Sequence, residues 1–171
     1  MKAFMVAATM LYLPYLWCYL RREDPADYGL RWNLTWSAVR LVFILSLLTL
    51  IPLTVMSMLW PGQSLPRSIS VDSFLSLSIA GLVASVVEET FFRGFVQTLL
   101  KKKLDPISAI LITALLFAAA HSFWRFHPLR LATFFPGLIM GYLRESTGNV
   151  FPSMIYHFLG NIWSIWFFPG F

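Results

Sequence analysis

Charge is what this sequence has least of. Only 12% of its 171 residues are Asp, Glu, Lys or Arg, against 58% hydrophobic residues. A soluble domain carries about 25% charged residues, so this chain cannot cover a water-facing surface. That excludes intrinsic disorder, nucleic-acid binding and ordinary soluble enzymology, and it places the chain in a lipid bilayer. Cysteine is nearly absent too. Cys18 stands alone, which excludes an intramolecular disulfide and any cysteine-built metal site, and its thiol is expected to be inert near a helix end. There is no Gly-rich phosphate loop, no Gly-x-Ser-x-Gly elbow and no HExxH, so nucleotide chemistry, a serine triad and the common zinc-peptidase motif lack their residues.

What is present is a series of apolar runs separated by Pro, Gly and charge. Six can be drawn, at Ala3–Leu20, Val39–Trp60, Phe74–Leu100, Pro106–Trp124, Leu129–Leu143 and Val150–Phe168. A spanning helix needs about 20 residues, which five of them approach; the fifth is short enough to be tilted or packed inside the bundle. The expected fold is all-α, a polytopic membrane bundle of about six transmembrane helices around a polar intramembrane cavity, forming a single domain over residues 1–171. The first run has no small-residue cleavage site after it and reads as a retained helix.

The basic residues alternate with the runs. Loops one, three and five hold Arg21, Arg22, Arg31, Arg40, Lys101, Lys102, Lys103 and Arg144, while the opposite side holds Lys2, Arg67, Arg125 and Arg130. The positive-inside rule then puts the odd loops in the cytoplasm and both termini outside. Gly137 and Gly141 form a GxxxG spacing suited to close helix approach, and Pro52 and Pro136 are expected to kink their helices. His127 falls in an outer loop with Trp124 and Arg125 and takes no role.

Three charges sit where none should. Glu88, Glu89 and Arg93 lie inside the third run, in SVVEETFFRGF, with Glu88 roughly 20 Å along a helix from Lys101. Each ionised group at the middle of a spanning helix costs about 2.5–3.5 kcal/mol, so the three together cost on the order of 8–10. Such residues mark function. Glu89 and Arg93 are i,i+4 with the acid first, the favourable order for a pair on one face. Glu88 points about 100° away and is free to face a cavity, where an unpaired, desolvated carboxylate suits a general base. Phe117 and His121 share a face of the fourth run, and His157 and Asn161 share a face of the sixth. A base, a histidine to hold water and a His/Asn pair to donate hydrogen bonds suit attack of water on a carbonyl.

In order, Glu88-Glu89-x-x-x-Arg93, Phe117-x-x-x-His121 and His157-x-x-x-Asn161 resemble the three-motif signature of the type II CAAX prenyl endopeptidases, the CPBP or ABI intramembrane glutamic proteases. The resemblance covers about residues 74–168. It implies an endopeptidase in which Glu88 activates water, His121 helps to hold it, Glu89 and Arg93 shape the site, and His157 and Asn161 form an oxyanion hole, around a conical, water-accessible cavity. It implies no cofactor and no metal, a membrane-associated protein or peptide as substrate, the bilayer as partner and no nucleic acid. The compact length is nearer to prokaryotic branches that process bacteriocins or cleave C-terminal sorting tails than to eukaryotic CaaX processors, which implies a multi-pass protein of a prokaryotic cytoplasmic membrane. Two other readings stay open. One is a zinc protease on the same scaffold with Glu88, His121 and His157 as ligands; the other is a non-catalytic immunity or assembly protein holding a hydrophobic peptide. A transporter would show repeated halves, and none are evident.

Overall fold

The computed structural model describes residues 2–62, 64–123 and 128–169, and among these it is helical without strands. Six helices form the bundle: α1 Lys2–Arg21, α2 Trp36–Met58, α3 Val71–Lys101, α4 Pro106–Phe123, α5 Phe134–Thr147 and α6 Phe151–Phe167. A single turn, Pro128–Leu131, precedes α5. His127, Trp124 and Arg125 lie outside the described residues.

Polar side chains start the helices where the sequence supplies them. Thr35 accepts from the Ala38 amide at the head of α2, and Ser70 accepts from that of Ser73 at the head of α3. Asp105 takes the Ile107 and Ser108 amides ahead of α4, and Asn149 takes that of Phe151 ahead of α6. Each satisfies an amide that has no partner within its own helix. Gly148, at φ 66°, ends α5 in the left-handed conformation that glycine adopts at little cost.

Two expectations need correcting. Pro136 does not kink a helix; it falls in the first turn of α5, where its missing N–H has no intrahelical partner to lose. Among the described residues not five but three helices, α1, α2 and α3, are long and apolar enough to cross a membrane by length and composition, with α4 a shorter apolar helix. The shorter α5 and α6 pack inward: α6 lies against α2, α3 and α5, and α5 lies against α4. Val42, Phe92, Phe117, Met140, Leu143 and Tyr156 join five helices in one buried cluster. Outward, α2 exposes Leu48, Ile51 and Val55, and α3 exposes Ile79 and Val83. In water such a surface would aggregate; in lipid it is the expected exterior.

The GxxxG spacing does bring helices close. A Cβ at Gly137 would lie 3.2 Å from that of Ala114, and one at Gly141 would lie 2.8 Å from Ile110 Cγ2, both on α4. The loops sort as the alternating charge required. Lys102 reaches Glu23, Lys101 reaches Glu145, and the Val150 amide donates to the Gly29 carbonyl, so loops one, three and five share an end of the bundle. Arg67, in loop two, donates to the Ser164 and Ile165 carbonyls at the other end of α6.

At the odd-loop end, residues 22–35 fold over the helix termini. Tyr28, fully buried, donates to Glu23 and receives hydrogen bonds from Trp17 and Lys102. Cys18 is buried in the same cluster with Leu30, Phe95, Val150 and Met154, which is the inert setting expected of it.

Candidate active site

The site begins with a change of helical pitch. From Thr90 to Val96, α3 winds as a π-helix, a rare form that concentrates at functional sites. Thr90, Phe92, Arg93, Gly94 and Phe95 are buried there. Gly94 lets α3 lie close to loop one, since a Cβ on it would lie 2.6 Å from Leu30 Cδ2.

Within that segment Arg93 Nη1 donates to Glu89 Oε1 at 3.0 Å, and both side chains are fully buried. Arg93 Nη2 donates to the Gly137 carbonyl at 3.1 Å. One turn on, Gln97 Nε2 donates to the Gly141 carbonyl at 3.1 Å. The two glycines therefore serve twice: they admit α4 on one side and expose carbonyls to α3 on the other. An ion pair removed from water is stable only with such added hydrogen bonds.

Glu88 sits on the neighbouring face, its side chain 24% exposed. Its Oε2 lies 3.6 Å from His121 Nε2 and 3.9 Å from His157 Nε2, both beyond hydrogen-bonding distance, and it has no hydrogen-bond partner. The remaining ring nitrogens set the tautomers. His121 Nδ1 lies 3.0 Å from the Phe117 carbonyl, and His157 Nδ1 lies 2.9 Å from Glu89 Oε1. Both partners are acceptors, so each Nδ1 carries the hydrogen and each Nε2 turns toward Glu88.

Phe117 packs at the centre of this group. Its ring lies 4.3 Å from Arg93 Cζ, with centroids 4.3 Å from His121 and 5.7 Å from His157. The structure thus brings together Glu88, Glu89, Arg93, His121 and His157. It adds one link that spacing did not suggest: His157 stands between the two glutamates.

Asn161 lies one turn beyond His157 on α6 and faces α3. Its Nδ2 donates to the Gly81 carbonyl at 3.0 Å and to Ser85 Oγ at 3.2 Å. Gly81 and Ser85 escaped the sequence reading, although Gly81-x-x-x-Ser85 is itself a small-residue spacing of the kind that lets membrane helices meet. An apolar groove of about 810 Å³, lined by Ile112, Leu115, Leu116, Leu131 and Phe135, lies between α4 and the start of α5, and none of the six expected site residues lines it. Among the described residues no group of three His, Cys, Asp or Glu side chains is arranged to hold a metal ion.

A helical membrane bundle with two glutamates, two histidines, an arginine and an asparagine gathered in its interior has the composition of an intramembrane hydrolase. The profile of the type II CAAX prenyl endopeptidase Rce1-like family matches residues 70–163. That is more than half of the chain, spans α3 to most of α6 and includes all six expected site residues; the chain belongs to this family of membrane peptidases. No curated protein and no solved structure matches it.

Proposed function

We propose that the protein is an intramembrane endopeptidase that hydrolyses a peptide bond with a water activated by Glu88. The observation that carries this reading is the placement of one partly exposed carboxylate opposite two imidazole Nε2 atoms, at 3.6 and 3.9 Å, while its neighbour Glu89 is neutralised by Arg93. Separations just beyond hydrogen-bonding length suit a bridging water. Glu88 takes a proton from that water as its oxygen bonds to the scissile carbonyl carbon. His121 holds the water from the other side. The carbonyl π electrons move to oxygen, and the tetrahedral intermediate collapses with cleavage of the C–N bond, the proton passing from Glu88 to the departing amine.

Glu89 and Arg93 orient His157, as the acid orients the imidazole in a hydrolytic triad. His157 and Asn161 line the α6 wall against which the reacting carbonyl lies. Together they form the oxyanion hole, with His157 oriented by its Nδ1–H donation to Glu89. The substrate is a membrane-associated protein or peptide, such as a C-terminal sorting tail, a bacteriocin-like peptide or a CaaX-like tail, and no cofactor takes part. We place the whole chain, as one domain, in a prokaryotic cytoplasmic membrane with loops one, three and five inside.

The test uses purified protein in nanodiscs and two internally quenched peptides, one a farnesylated CaaX tail and one a short hydrophobic sorting tail. Wild-type cleavage of either, abolished in Glu88→Gln with unchanged thermal unfolding, supports the assignment. Normal turnover by Glu88→Gln overturns it. Activity lost on chelation and restored by one equivalent of zinc would assign Glu88, His121 and His157 to a metal instead. Tight binding of both peptides without cleavage would indicate an immunity or assembly protein.

A further inference from the structure

The second half of loop one has two sides. Its inner side is held by the bundle: the Gly29 carbonyl accepts from the Val150 amide, Leu30 lies against Gly94 of the π segment, and the Asn33 carbonyl and side-chain oxygen accept from Asn149 Nδ2. Its outer side is open. Trp32, Leu34 and Trp36 are 57%, 42% and 79% exposed, with Arg31 and Arg40 exposed beside them. Tryptophans exposed where helices enter a bilayer belong in the headgroup layer, which buries the ring and keeps its N–H wet. These two stand at that level: Trp36 is the first residue of α2, and Trp32 packs on Phe151, the first residue of α6.

Charge decides which headgroup. The sequence has no acid between Asp27 and Asp72. Among the described residues, the paired carboxylates at this end are Glu23, which serves Arg21 and Lys102, and Glu145, which serves Lys101; Arg31 and Arg40 pair with neither. Arg31 also meets a second cation. Arg144 is buried beneath Gly29, with the Thr98 hydroxyl as acceptor for Nη2 and no partner for Nε, and Arg31 lies near enough to oppose its charge. A zwitterionic headgroup brings its own cation and leaves that repulsion standing, whereas an anionic headgroup offsets it. We infer that the outer side of loop one is a docking surface for anionic phospholipid, with Trp32, Leu34 and Trp36 in the headgroup layer and Arg31 and Arg40 against lipid phosphates. Trp36 and Arg40 are i,i+4 on α2, so ring and cation meet the same lipid. The docked lipid also has a route to the site. Leu30 adjoins Arg31 in the chain and fills the space that Gly94 leaves, so a lipid that holds Arg31 holds Leu30 on the π segment that carries Arg93.

That route rests on the protease reading; the lipid contact does not, and the experiment separates the two. Full-length protein carries a fluorophore at Leu34→Cys, the native Cys18 being buried. It is placed in phosphatidylcholine nanodiscs doped with nitroxide-labelled phosphatidylglycerol or nitroxide-labelled phosphatidylcholine. The labelled phosphatidylglycerol should quench more strongly. Arg31→Gln and Arg40→Gln should each lower that preference by about fivefold, the scale of one basic side chain near a charged surface, while Arg31→Lys should keep it and high salt should weaken it. Equal quenching by the two lipids, or a preference untouched in both Gln variants, would overturn the inference. Quenching by neither would also overturn it, with iodide access assigning the loop to water and iodide protection assigning it to a second copy of the chain or another protein. With the quenched peptides, kcat should be lower at unchanged KM in phosphatidylcholine alone than in an equal mixture with phosphatidylglycerol, and Arg31→Gln should abolish the difference. Equal kcat in both compositions would overturn the link through Leu30. Absence of wild-type cleavage in both would count against the protease reading, and the nitroxide quenching would still decide the lipid contact.

Discussion

His157 donates to Glu89 with one ring nitrogen, at 2.9 Å, and turns the other toward Glu88. The buried acid therefore has two partners on different sides, since Arg93 reaches the same Oε1 at 3.0 Å. Removing Arg93 would leave Glu89 charged, fully buried and held by one imidazole. Arg93→Ala is expected to cost about 3–5 kcal/mol of stability, as for other broken buried pairs, and to abolish cleavage. Glu89→Gln should cost both as well, whereas Glu88→Gln should cost activity alone. Thermal unfolding in detergent, measured beside turnover, separates these three variants; a Glu89→Gln protein of wild-type stability and rate would contradict the arrangement.

The same pair shows how far the sequence could be read. Apolar runs, alternating loop charge and the i,i+4 spacing of Glu89 and Arg93 are local patterns, and each reappears in the structure within a few residues. The fifth apolar run ends at Leu143 because Arg144 and Glu145 follow. Helix α5 continues to Thr147 because Arg144 is buried against Thr98 and Glu145 pairs with Lys101 at 2.6 Å. The π segment, the folding of loop one over Gly94 and the commitment of Asn161 to Gly81 and Ser85 depend on which helices meet. Periodicity within one helix carries none of that information.

Helix α5 should be intolerant of side chains at two of its glycines. Gly141→Ala would place a Cβ 2.8 Å from Ile110 Cγ2, and Gly137→Ala one 3.3 Å from the backbone of Ala114. Each should destabilise by about 1–3 kcal/mol, the cost of overpacking. Gly137→Ala should also lower activity, because the carbonyl that anchors Arg93 moves with it. Gly160 on α6 meets nothing within 4 Å, so Gly160→Ala is the control and should leave unfolding unchanged or slightly raised. Equal effects at all three positions would mean that helix propensity, not close approach, governs them.

The orientation in the membrane is testable with the native cysteine in place. Cys18 is 1% exposed and should not react with impermeant maleimide. Lys103→Cys should label only in inverted vesicles and Ser68→Cys only in right-side-out cells. Labelling of both from the same side would contradict the shared end of loops one, three and five; the reverse pattern would invert the topology.

Outside the membrane, Glu23 carries a pH signature. The Tyr28 hydroxyl, and after it the Lys102 ammonium, hold the Glu23 carboxyl below its ordinary 4.5. A carboxyl depressed in the folded state contributes stability that is complete above the unfolded value and is lost as pH falls through the folded one. Wild-type protein should therefore lose unfolding temperature below about pH 4.5 more steeply than Glu23→Gln, which has nothing to titrate there. Parallel curves for the two proteins from pH 7 to pH 3 would show that Glu23 does not anchor loop one.

Phe117 gives the most specific test of how the site is held. Its ring has Arg93 at 4.3 Å on a cation–π contact and the imidazoles of His121 and His157 at centroid distances of 4.3 and 5.7 Å. A benzene ring there excludes water from the buried ion pair and fixes the planes of both histidines. Phe117→Ala should lose about 3–5 kcal/mol, the usual cost of a buried aromatic, which says little about mechanism. Phe117→Leu is more informative: it fills most of the volume but lacks the π face for Arg93 and the flat surface for the imidazoles. It should fold with a loss of about 1–1.5 kcal/mol, bind peptide normally and turn over at least tenfold more slowly. Wild-type turnover in a folded Phe117→Leu protein would show that volume alone suffices and that the ring does not position His121 and His157.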